Sequence, residues 1–126
     1  MIIGTVNANE DAVVRFLVRG TGGILHETEA VVDTGFNGFV SLPSSLISAL
    51  GLPFVRTEQT LLANGSREEV AVHEGTIFWD AGKRTVLVQA TDGDPLIGMA
   101  LMRGYELTVQ VRINGDVFIK PMAPGV

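Results

Sequence analysis

Turn signals recur about every ten residues along this chain, and short β-branched runs fill the intervals between them. That spacing points to a compact antiparallel β-protein. The runs at Gly4–Val6, Val13–Val18, Ala30–Val32 and Phe39–Leu42 are expected strands, as are Thr60–Leu62, Glu69–Val72, Thr76–Trp79 and Thr85–Val88. Arg19–Gly23 (RGTGG) is read as a hairpin loop and not as a phosphate cradle, because no helix start follows it. Asn64-Gly65 and Asn114-Gly115 are hairpin signals in which both central residues are expected at positive φ. The second would pair Leu107–Ile113 with Asp116–Lys120. One helix is expected over Pro43–Gly51, with proline and serine at its start and glycine at its stop. A second short one is expected from Met99 to Gly104.

With 126 residues, 46% of them hydrophobic and 18% charged, the chain has apolar material for one core and fits a single domain over 1–126. A net charge of −5 with scattered basic residues argues against a nucleic-acid partner, since phosphate binding needs clustered Lys and Arg. The lack of cysteine removes disulfides, thiolate metal sites and cysteine nucleophiles. His26 and His73 share no metal-ligand spacing, and Asp92-Gly93-Asp94 lacks the spacing of a calcium loop, so neither metal nor cofactor is expected. Trp79 reads as a core or interface anchor, and Glu27, Glu29, Glu68 and Glu69 as exposed charge. No serine stands in a nucleophile-elbow setting. The N-terminal stretch has no signal-peptide pattern and no run reaches the roughly 18 apolar residues of a membrane helix. A soluble, cytoplasmic protein without a membrane partner is expected.

The stretch "AVVDTGFNGFV", residues 30–40, carries the chemistry. Three apolar residues end on Asp33, and a charge at the end of a buried strand is costly unless paired or solvated by fixed donors. Two readings are open. Asp33 caps a turn with its own side chain, or it is a carboxylate held for catalysis.

The order of features favours the second. Asp33-Thr34-Gly35 follows a short apolar strand. A strand and helix come next, then the Asn64-Gly65 hairpin ("TLLANGSREEV"), then "RTVLVQATDGDPLIGMALM" with its Ile97-Gly98 pair. This sequence resembles the retroviral-type aspartic proteases, the retropepsins, and their bacterial single-domain relatives, over about residues 12–112. The resemblance implies an all-β, closed β-barrel with one or two short helices. It implies an aspartic-type endopeptidase acting on polypeptides, and a homodimer, because the chain supplies one aspartate where the chemistry uses two. Asp33 would be the catalytic carboxylate, Thr34 would bond across the dimer, and Gly35 would let backbone approach substrate. Phe36 and Asn37 would contact substrate, and Leu62, Ala63, Asn64 and Gly65 would form the covering flap. Phe36 and Asn37 depart from the small and acidic residues usual in the viral enzymes, and Met99 and Ala100 replace an arginine–asparagine pair that braces the viral dimer. The C-terminal hairpin could brace it instead. An extended, largely apolar substrate is expected. The competing reading is a non-catalytic dimeric module that binds a peptide or protein on the same fold.

Overall fold

A computed structural model describes residues 1–124. The strands are β1 (Ile2–Val6), β2 (Ala12–Arg19), β3 (Leu25–Val32), β4 (Val40–Pro43), β5 (Phe54–Leu61), β6 (Arg67–Trp79), β7 (Gly82–Thr91), β8 (Leu96–Ile97), β9 (Tyr105–Val109) and β10 (Asp116–Pro121). The helix α1 (Ser44–Leu50) lies between β4 and β5. The strands form one sheet in the order β5-β6-β7-β4-β8-β3-β2-β1-β10-β9. A further pairing of β6 with β2, Leu17 opposite Phe78 and Arg19 opposite Thr76, folds the sheet back on itself.

Period-two alternation sets the core. In β2, Val14, Phe16 and Val18 turn inward and Arg15 turns out, and in β4 Val40 and Leu42 join the same cluster. Trp79 is 1% exposed and meets Tyr105 edge-on at a ring distance of 5.8 Å, which makes it a core anchor. Among the described residues no helix is long and apolar enough to cross a membrane. Helix α1 ends as its sequence requires: Gly51 adopts φ 68°, and its N–H donates to the Ser48 carbonyl at 3.1 Å.

Several expectations are corrected. Met99–Gly104 forms turns, not a second helix: Leu101 N–H bonds to Gly98 O and Tyr105 N–H to Met102 O, and the chain then enters β9. The two strands expected at Glu69–Val72 and Thr76–Trp79 are one strand, β6, of 13 residues. Gly75 sits opposite Val86 within the ladder. A Cβ there would crowd Val88 Cγ2 at 3.0 Å, so this glycine serves close packing. Strand β5 starts at Phe54 rather than Thr60. Nearly all of it is exposed, so no hydrophobic alternation marked it. Strand β9 stops at Val109, and Gln110–Gly115 forms the loop to β10, with Val111 72% exposed. In that loop Asn114 has φ 64°, whereas Gly115 is not at positive φ and is held tightly against Gln110 O.

The shortest strand positions the site. Strand β8 is wedged between β3, with which it runs parallel (Val32 beside Ile97), and β4, with which it runs antiparallel (Val40 opposite Ile97). The chain leaving β3 must therefore loop over the end of β8 before it enters β4. That loop, residues 33–39, contains the Asp-Thr-Gly sequence.

Candidate active site

Asp33 is the first residue beyond β3. Its N–H donates to Ile97 O at 2.9 Å, which continues the β3–β8 ladder by one bond. A tight turn follows, closed by Phe36 N–H donating to Asp33 O at 3.1 Å. The Asp33 carboxylate accepts the Gly35 N–H through Oδ1 at 2.9 Å. The turn-forming role weighed for this residue is thus real, and it occupies only one oxygen. Oδ2 has no partner among the described residues, and no cation pairs with the carboxylate there. Asp33 is partly buried, with Thr34 and Gly35 exposed beside it. A Cβ on Gly35 would press on Asp33 Oδ1 at 3.2 Å, so glycine keeps that oxygen clear.

The loop is pinned from the segment after β8. Gly98 N–H donates to Phe39 O at 3.0 Å, Met99 N–H to Phe36 O at 2.8 Å and Ala100 N–H to Gly38 O at 3.2 Å. Gly98 has to be glycine: a Cβ would run into Gly38 O and stand 2.6 Å from Phe36 O. Main-chain groups of Met99 and Ala100 thus brace the loop. Phe36 lays its ring over Gly38 and Gly98, where added Cβ atoms would meet it at 2.6 and 2.7 Å. Part of the ring is therefore taken up by packing within the loop. Asn37 is exposed.

Leu62, Ala63, Asn64 and Gly65 form the tip of the β5–β6 hairpin, and all four are exposed. The tip differs from the expected two-residue turn. Gly65 N–H donates to Leu62 O at 2.9 Å, Leu62 N–H donates to Ser66 O at 2.8 Å, and only Gly65, at φ 84°, is left-handed. This is a three-residue loop ending in a glycine bulge. Asn64 Oδ1 ties it together, accepting from Ser66 N at 2.9 Å and Ser66 Oγ at 2.6 Å. No hydrogen bond joins the tip to residues 33–37 among the described residues.

Beneath the hairpin, between its root and β4 and β7, runs an open groove of about 510 Å³. Its walls include Ser41, Thr60, Glu68, Val70, Gln89 and Asp92, and neither the Asp33 loop nor the hairpin tip lines it. Gln89 bridges the gap: its Nε2 lies 3.5 Å from the position of a Cβ on Gly38. Sequence reading missed this groove because its walls come from four separate segments, which only the strand register brings together. No group of three or more His, Asp or Glu among the described residues could hold a metal.

No family model and no curated protein matches the sequence. A solved structure does match in shape. The fold is similar to the crystal structure of a retropepsin-like aspartic protease from Rickettsia conorii. The TM-score is 0.57 at 14% sequence identity, over 96% of this chain and 91% of that one. At that identity the likeness is one of fold.

Proposed function

We propose that the protein is an aspartic-type endopeptidase that works as a homodimer, with one domain per subunit. On this reading the return of β6 to β2 closes a barrel of retropepsin type, and Asp33 from each subunit meets its counterpart across a two-fold axis. The observation that carries the reading is the fixed Asp33 turn. It holds a partly buried carboxylate with one oxygen unengaged, at the end of a strand in a fold shared with an aspartic protease. Two such carboxylates brought together cannot both ionise cheaply, so they share a proton. The ionised one takes a proton from an attacking water while the protonated one donates to the scissile carbonyl. The hairpin tip of each subunit covers the bound peptide and limits water access. The exposed Thr34 hydroxyl bonds across the interface and fixes the paired loops.

Cleavage of a denatured protein mixture by wild type and Asp33→Asn, with sedimentation in the same buffers, tests this. A dimer whose acid-dependent cleavage vanishes in the variant is the expected result. A dimer that never cleaves, and is not stabilised to heat by pepstatin, would favour the binding-module reading instead. A monomer without activity would leave Asp33 as a turn residue.

A further inference from the structure

We propose that the groove beneath the β5–β6 hairpin is a cation-selecting subsite that takes a lysine or arginine side chain of an extended peptide. The proposal rests on the peptidase reading above, since it takes the groove as part of the peptide's path.

Strand register defines the floor. Ser41 stands beside Gln89 between β4 and β7, and Gln89 stands opposite Val72 between β7 and β6. Val70 and Glu68 follow two and four residues before Val72, and Thr60 is opposite Glu68. All these side chains share one face, while Val40, Leu42 and Val88 turn to the core on the other. The floor is tight and polar. Ser41 is 5% exposed, and its hydroxyl has no hydrogen-bond partner among the described residues.

Charge in the groove has one sign. Glu68, Glu69 and Asp92 all line it, and no cation lies within ion-pair distance of any of them among the described residues. The nearby arginines are engaged elsewhere: Arg56 binds Glu58 at 2.7 Å, and Arg67 reaches Gln59 at 3.3 Å. The carboxylates do not converge into a metal site, so the geometry suits a longer cation rather than an ion. A lysine or arginine stem can lie along Val70 while its head meets oxygen acceptors from Ser41, Gln89, Glu68 and Asp92.

The test uses Asp33→Asn protein, so that probes survive. Extended alanine-based peptides carrying one lysine at successive positions are compared by fluorescence anisotropy with their norleucine counterparts. At one position lysine should bind about tenfold more tightly, the sum of two surface-strength charge contacts. Added salt should weaken only the lysine peptide. The preference should collapse in Glu68→Gln/Asp92→Asn and persist in Glu10→Gln/Glu106→Gln, which changes net charge equally at a distance. Equal binding of the two peptides, binding of neither, or a preference that survives Glu68→Gln/Asp92→Asn would overturn the proposal. Cleavage by protein with Asp33 intact is read separately. A lysine preference without cleavage supports the groove and defeats the peptidase reading; cleavage without a lysine preference does the reverse.

Discussion

The loop at Asp33 and the tip of the β5–β6 hairpin lie in the same fold but are held in opposite ways. The loop is fastened from outside itself. One bond reaches it from β8 and three come from residues 98–100, around a glycine that no other residue can replace without collision. Among the described residues the tip is held only by its own bonds, through Asn64, Ser66 and Gly65, and it stands in solvent. Catalytic groups need fixed geometry, and covers need freedom to open. The contrast is the one the proposed peptidase half-site would need: a carboxylate fixed from outside its own loop, and a hairpin tip with no bonds to that loop among the described residues.

The largest effect is expected at the carboxylate. Asp33→Asn keeps the side-chain oxygen that accepts the Gly35 N–H. The melting temperature should therefore hold while cleavage falls by roughly 10²–10⁴-fold, the usual worth of a positioned acid or base. Gly98→Ala strikes the brace. Crowding against Gly38 O and Phe36 O should cost about 1–3 kcal/mol in denaturant unfolding and lower cleavage too, because the loop must shift.

Effects at the tip should be smaller and local. Gly65→Ala forces a left-handed alanine at φ 84°, worth roughly 1–2 kcal/mol in hairpin stability. Hydrogen exchange should quicken in residues 61–67 and stay unchanged in β3. Asn64→Ala removes the acceptor for Ser66 and should cost about 0.5–1.5 kcal/mol, visible in the same experiment. If either tip variant loosened the Asp33 loop as much as Gly98→Ala does, the two regions would not be independent.

These two regions also differ in how far they could be read from sequence. The Asp33 turn was legible because its signals are local: an apolar strand, an Asx turn and a glycine within six residues. Helix α1 was legible for the same reason, with Gly51 as its stop. What failed depended on distant partners. The expected gap between Glu69–Val72 and Thr76–Trp79 is closed by continuous pairing through Gly75, with Val88 and Leu52 packed against it. Gly98 looks like a helix start until Gly38 and Phe36 close over it. Strand β5 carries no alternation because both of its faces are exposed, and its extent is set by pairing with β6. The charged groove was invisible as well. Glu68 and Asp92 each read as ordinary surface charge until register placed them on one cavity.

Whether one Asp33 from each of two subunits makes the site is decided by subunit poisoning. Wild-type protein is held at a concentration where it is dimeric, an equal amount of Asp33→Asn protein is added and allowed to exchange, and cleavage is measured. Random exchange leaves wild-type pairs at half their former number, so activity should halve, and fall further as the variant is raised. Activity unchanged by any excess of the variant would contradict a shared site, because each chain would then be cleaving alone.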